Sequence, residues 1–445
     1  MSLRYFYKSM FFRTLAEDLI TPFISIFALS LGATTTLIGL VTSLPNFASL
    51  LSQLIWGSIA ENMKNKKFLV ILGGLLWAFM WLPIALVQNT YQLIILLTIQ
   101  AFLSSISIPA STVLLIRLTQ PYKRSIATGN LNSISGVGSF IGSIVAGYIL
   151  NAYGFIYFIF VLVFIFGLTS RIVFFKVKEP PEVVSRKTLK EILKSSYDIT
   201  PFKKNKKLFR FTIAVMAVNL TTALTGGFFA VYVITGLKGS LLDVAIIGAI
   251  GTVSEIIFFR AWGLIGDSMN KKTIMMTTMI PISFIPLVYV VAQNVYWIYA
   301  YAIIARMSWS GFNLAVFAYM SDAISKEKIS SNVTFFNLFT GLATSIGPLI
   351  GGVMADFMQK DFLINGLTSL FILSAVLRFS SMIFVGRLEK SGSSKMSLLK
   401  FGLYPMGVMQ GFETFLKTYT IVVKVAKKES FKMINHFNFL KWIRK

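Results

Sequence analysis

The chain contains no cysteine and a single histidine, His436. Disulfides and thiolate metal ligands are therefore excluded. The lone imidazole lies in the C-terminal tail, so no histidine-based metal site or intramembrane histidine relay can form. Neither a metal nor a cofactor is expected. Charge is also scarce, at 13% of residues against about a quarter in soluble domains, and acid is scarcest, with 17 Asp and Glu against 42 Lys and Arg. A soluble chain of 445 residues with a mean hydropathy of +0.73 would lack the charged surface it needs to stay dissolved. The chain reads as a polytopic membrane protein. No Walker-type phosphate loop is present, so no ATP-driven motor is visible. No clustered nucleophile or catalytic carboxylate set is visible either, and an enzyme is not expected.

In place of charge there is apolar length. Runs long enough to span a bilayer cover residues 10–32, 37–58, 67–87, 92–117, 130–151 and 154–176. Six more cover residues 208–236, 241–263, 272–292, 296–321, 333–355 and 362–385. The first run, with Arg4 and Lys8 before it, superficially resembles a signal peptide, but Glu17, Asp18 and Pro22 interrupt it and it continues too far to be a cleaved segment. The expected fold is an all-α membrane protein of twelve transmembrane helices. Four regions follow: a six-helix bundle over 1–176, a basic central loop over 177–207, a second six-helix bundle over 208–387, and a basic amphipathic tail over 388–445.

The net charge of +25 does not point to nucleic acid, because the basic residues lie in short connections between apolar runs. Lys64, Lys66, Lys67, Lys123, Arg124, Lys271, Lys272, Lys326, Lys328, the central loop and the tail fall on one side, whereas the other holds little beyond Lys238 and Lys360. The positive-inside rule makes that side, with both termini, cytoplasmic in a cell membrane, where it touches anionic headgroups. Trp81, Tyr91, Tyr296 and Trp297 are placed as interfacial aromatics at the outer ends. A monomer is expected.

Two stretches recur in register. Trp56-Gly57-Ser58-Ile59-Ala60-Glu61-Asn62-Met63-Lys64-Asn65-Lys66 is matched 206 residues later by Trp262-Gly263-Leu264-Ile265-Gly266-Asp267-Ser268-Met269-Asn270-Lys271-Lys272. Gly142 to Gly147 is matched by Gly347 to Gly352 at an offset of 205, and Asn132 by Asn337 at the same offset. Arg171 and Arg378 correspond near the ends of the sixth and twelfth runs. Matching elements across whole halves indicate an internal repeat, a known plan for secondary transporters.

Over roughly residues 10–387 the chain resembles the major facilitator superfamily. The repeated stretch is similar to that family's loop motif, a glycine, an acid four residues on and clustered basics, with Asn62 and Ser268 where the family has Arg. Gly129, Gly138, Gly142 and Gly147 have the spacing of the antiporter signature, and its fuller form, Gly347-Pro348 to Gly351-Gly352, stands in the eleventh run. Asp18-Leu19-Ile20-Thr21-Pro22 resembles a motif of drug-exporting members, although the Arg those exporters carry in the fourth helix is Leu97 or Thr98 here. The resemblance implies two pseudo-symmetric bundles that alternate access to a midplane site. It also implies that Glu61 and Asp267, with Gly57, Lys66, Gly263 and Lys271, form a cytoplasmic gate that Arg117 and Asp322 join. Close helix packing explains Gly138, Gly142, Gly147, Gly347, Pro348, Gly351 and Gly352 equally well.

Ionisable groups at membrane depth cost about 2.5–3.5 kcal/mol each on insertion scales and mark function or a partner. Asp18, Glu17, Glu255 and Arg306 are the candidates, with Arg13 placed to pair with Glu17 and Glu255 to pair with Arg306. Arg260, closer to the inner face, is placed to reach Asp267 or headgroups. Arg171 and Arg378 are expected to snorkel to the cytoplasmic surface. Polar cavity candidates are Asn46, Gln100, Asn219, Thr221, Thr222, Asn313 and Asn337. The expected function is a secondary transporter of a small organic molecule, proton-coupled through Asp18 or Glu255, with export ahead of uptake of a sugar or similar solute. A non-transporting sensor or assembly factor is the alternative of a different class.

Overall fold

The computed structural model describes residues 2–63, 65–120, 124–154, 157–180, 200–266, 269–324, 329–358 and 363–391. Asp267, the Arg260 and Glu61 side chains, and the tail from residue 392 onward with His436 lie outside the described set. Among the described residues the regular structure is helical, in twelve lines besides the short helix Thr200–Lys204: α1a (Ser2–Asp18) and α1b (Ile24–Ser30), α2 (Thr35–Asn62), α3 (Lys66–Ala85), α4a (Thr90–Ser104) and α4b (Ser107–Leu118), α5 (Arg124–Tyr153), α6 (Tyr157–Phe174), α7a (Lys206–Gly226) and α7b (Phe229–Thr235), α8 (Leu241–Gly266), α9 (Lys271–Val291), α10 (Val295–Ala323), α11 (Ile329–Met358) and α12 (Leu363–Gly386). Ten lines are long and apolar enough to cross a membrane. The other two are α1, broken and carrying Arg13, Glu17 and Asp18, and α10, diluted by Arg306, Ser308, Ser310 and Asn313.

The helix starts repeat as the loops do. Asn65 accepts a hydrogen bond from the Phe68 amide at the start of α3, and Asn270 accepts one from Lys272 at the start of α9. Asn89 and Asn294 do the same at α4a and α10. Each side-chain carbonyl satisfies an amide that the first helical turn leaves free. Breaks also correspond. Pro22 stands in the short turn between α1a and α1b, and Gly227-Phe228 separates α7a from α7b.

Within the first half α1 packs on α5 and α6, α3 on α6, and α4 on α2 and α3. In the second half α7 packs on α11 and α12, α9 on α12, and α10 on α8 and α9, so the two bundles have one plan. The ends that carry the Lys-rich connections form a basic face. The halves meet through α2 against α11, α5 against α8, and α1b against α7b. Thr35, Gly39 and Leu50 of α2 lie on Gly352, Pro348 and Gly341 of α11, and Gly147 and Gly136 of α5 lie on Ala245 and Ile256 of α8. These contacts occupy the half away from the basic face and reach the middle of each helix.

Two expectations are corrected. Arg171 and Arg378 do not snorkel; they are 3% and 2% exposed. Arg171 donates to the Val70 carbonyl (3.0 Å) and to Ser170 (3.0 Å). Arg378 donates to the Ile282 carbonyl (2.9 Å), Ser374 (3.2 Å), Thr225 (2.6 Å) and the Thr222 carbonyl (3.3 Å). Pro286 has no N–H to give Ile282, four residues earlier, so the guanidinium fills a place that the helix cannot. Trp81 is likewise not interfacial. It is buried at 2% exposure, whereas Tyr91, Tyr296 and Trp297 are well exposed.

Candidate functional site

The breaks in α1 and α7 border open space near the meeting of the halves. The cavity has two lobes that share Pro22, Gly226 and Ala230. The lobe in the second half has a volume of about 530 Å³, and the lobe in the first half about 490 Å³.

The second-half lobe is built on a charge pair and a ring wall. Arg306 Nη1 of α10 donates to Glu255 Oε2 of α8 at 3.2 Å, and the two side chains are 49% and 39% exposed. Gly251 makes room for this, since a Cβ there would lie 3.0 Å from Arg306 Nε. Around the pair stand Phe229, Tyr289, Tyr301, Trp309 and Asn313. Phe229 and Tyr289 pack with ring centroids 4.6 Å apart, and the Tyr301 hydroxyl is fixed on the Pro281 carbonyl at 2.8 Å.

The first-half lobe is more polar. Arg13 Nη2 donates to Glu17 Oε1 at 3.4 Å, one helical turn apart, and both line the lobe. Asn46 and Gln100 border it as well; Gln100 Nε2 donates to the Trp77 carbonyl at 3.0 Å and ties α4a to α3. Asp18, by contrast, lines neither lobe and faces Ser139 of α5. The i, i+1 spacing of Glu17 and Asp18 puts them on different helix faces. Asn219, Thr222 and Asn337 also line neither lobe. The Thr222 hydroxyl is turned back onto the Val218 carbonyl, and α11, which carries Asn337, is occupied by its packing on α7a and α2.

The signature glycines other than Gly129 mark close approaches. A Cβ at Gly138 or Gly142 would meet the α1a backbone at Phe11 and Leu15, and one at Gly347 or Gly351 would meet α7a at Ala223 and Leu224. Gly147 and Gly352 instead face the other half, on Ala245 and Thr35, and Pro348 approaches Gly39.

At the basic face several described loop residues have partners within their own bundle. Glu179 accepts from the Lys66 and Lys67 amides (3.0 and 2.9 Å), and the buried Lys66 Nζ donates to the Met63 carbonyl (3.1 Å). Lys271 Nζ lies 3.5 Å from Asp322, which also accepts from the Ser391 hydroxyl at 2.5 Å. Arg117 ends α4b. Sequence reasoning missed Glu179, taken as central loop, the aromatic wall, and Asp356 of α11, whose carboxylate accepts from the Thr35 and Thr36 amides of α2 at 3.2 and 2.9 Å. Glu179 and Asp356 act on residues more than a hundred positions away, and the wall gathers rings from α7b, α9 and α10, so no local pattern records them.

The Major Facilitator Superfamily model matches residues 8–348 and 211–421. Multidrug resistance protein MdtG of Enterobacter lignolyticus is 24% identical over 286 residues, 61% of this chain and 67% of that protein. A multi-drug resistance efflux pump PmrA homolog of Lactococcus lactis is 22% identical over 373 residues, 82% and 90% of the two chains. Among solved structures, the nucleoside transporter NupG (D323A mutant) superposes with a TM-score of 0.72 at 15% identity, covering 86% of this chain and all of that one. An inward-facing bacterial homolog of the human lysosomal transporter Spinster gives 0.64 at 13% identity, over 94% and 97%. With its repeated loop motif, paired six-helix bundles and central cavity, the chain belongs to the Major Facilitator Superfamily.

Proposed function

We propose that this transporter exports small amphipathic organic molecules in exchange for protons, by alternating access to the two-lobed cavity. The observation that carries the proposal is the Glu255–Arg306 pair, open to the cavity and ringed by aromatic side chains. A pair exposed to this degree is held by about 0–1 kcal/mol, whereas breaking a dry buried pair costs roughly 3–5 kcal/mol. Protonation of Glu255, or approach of a cationic substrate, therefore exchanges its partner at little cost. The faces of Tyr289, Tyr301 and Trp309 suit a flat apolar or cationic body. The amides and the Arg13–Glu17 pair of the other lobe suit its polar end.

Export is favoured because the curated relatives carry multidrug resistance and efflux names. Uptake of a polar organic solute is the second reading, supported by the amide-rich first-half lobe and by the fold shared with a nucleoside transporter. On the proposed orientation the basic face is cytoplasmic, in the cell membrane, with both termini inside, and the protein works as a monomer. The half-contacts away from the basic face then describe a conformation closed to the exterior. Glu61 and Asp267 are proposed to close the cytoplasmic side in the alternate state, at the positive starts of α11 and α5.

The test is binding of a fluorescent lipophilic cation to purified protein across a pH series. A proton and a cation compete for Glu255, so wild-type affinity is expected to rise with pH. Glu255→Gln is expected to bind weakly and without pH dependence. An unchanged pH dependence in Glu255→Gln would remove Glu255 from coupling.

A further inference from the structure

The geometry points to Asp356 as a positioning residue for transport: a latch that holds the face opposite the basic one closed by capping, from one half, a helix of the other. It rests on the alternating-access reading. The start of α2 has free amides, as every helix start does. Thr34 of the same chain segment satisfies only one of them, its hydroxyl accepting from Leu37 at 3.3 Å. The amides of Thr35 and Thr36 instead donate across the interface to the Asp356 carboxylate at the end of α11, at 3.2 and 2.9 Å. The Thr35 hydroxyl lies between the same carboxylate and the Gly352 carbonyl, the latter at 3.1 Å. Thr35 is fully buried in this contact, and Gly352 has no room for a Cβ against the Thr35 backbone.

The equivalent helix of the second half shows why this is more than a cap. At the start of α8, Ser240 and Asp243 cap each other: Ser240 N and Oγ donate to Asp243 Oδ2 at 2.6 and 2.8 Å, and the Asp243 amide donates to Ser240 Oγ at 3.2 Å. Tyr299 of the same bundle donates to the remaining oxygen. That helix start keeps its partners when the halves separate, whereas α2 loses the carboxylate. Charge-assisted bonds aided by the helix dipole oppose opening on this side alone.

The cysteine-free chain allows spin labels at chosen sites without background. Gln88→Cys with Tyr296→Cys reports separation on the face opposite the basic one, and Gln120→Cys with Ser321→Cys reports the basic face; all four positions are exposed. In Asp356→Ala the first distance is expected to lengthen and the second to shorten, with the population ratio moving by roughly fivefold or more, the effect of losing one good helix cap. Asp356→Asn, which can still cap, is expected to move both distances less. Thr35→Val takes out the hydroxyl from the other side and is expected to act in the same direction, so the test survives if Asp356→Ala does not fold. Ser240→Ala removes a cap of similar strength inside one bundle and is expected to leave both distances unchanged. Unchanged distances in Asp356→Ala and Thr35→Val, or an equal shift in Ser240→Ala, would overturn the latch. No substrate enters the measurement, so failure of the transport reading would appear in flux and not in these distances.

Discussion

Arg378 joins three helices through carbonyl and hydroxyl oxygens, with no carboxylate partner among the described residues. Removing it strands the Ile282 carbonyl, which Pro286 leaves without a helical donor. A stranded buried polar group costs about 1–3 kcal/mol. Arg378→Ala is therefore expected to lower the unfolding temperature in detergent markedly. Arg378→Lys, which keeps the charge but not the fork of donors, should fall between it and the wild type. An Arg378→Ala protein as stable as the wild type would mean that the carbonyls find other donors. The position of this arginine near a helix end was legible in the sequence, but its direction was not. Snorkelling and inward bonding use the same flexible stem, and the choice depends on a carbonyl freed by a proline nearly a hundred residues away. Glu255 and Arg306 were easier to read, because residue counting alone places both near the middle of their helices. For Glu17 and Asp18 depth was legible but facing was not, since it depends on where α1 breaks and which neighbour α5 presents.

At the level of the helix, the twelve lines were legible because apolar runs end at charge, glycine or asparagine, and the two halves repeat these stops. The glycines of α5 and α11 were legible as small residues but not as to partner, which needs the packing. The structure separates those facing their own bundle, Gly142 on α1a and Gly351 on α7a, from Gly129, which faces open space. Gly142→Ala and Gly351→Ala place a methyl group against backbone carbonyl oxygen and are expected to destabilise by about 1–3 kcal/mol. Gly129→Ala meets nothing and is expected to be neutral or to gain roughly 0.5–1 kcal/mol from reduced unfolded-state freedom. Thermal unfolding of the three variants checks the contrast, and equal behaviour would rule out close approach as the role of these glycines.

Across the whole molecule, the two halves share a plan but not their chemistry. One lobe carries the aromatic wall and a pair between neighbouring helices, and the other carries amides, hydroxyls and a pair within one helix. That difference suits a substrate with unlike ends. Trp309→Ala, which removes a ring from the wall but no charge, is expected to weaken binding of a lipophilic cation by about 1 kcal/mol or more, roughly a factor of five, while leaving its pH dependence in place. A titration of the purified variant checks this, and loss of the pH dependence would contradict the separation of ring binding from coupling at Glu255. The measurement that bears most directly on the mechanism is flux in proteoliposomes carrying an imposed proton gradient. A fluorescent lipophilic cation is expected to move against its own gradient when protons flow the other way, and to stop doing so when the gradient is collapsed or when Glu255 is replaced by Gln. Movement equal to that in protein-free vesicles across a broad panel of organic molecules, or gradient-driven movement undiminished in Glu255→Gln, would contradict it.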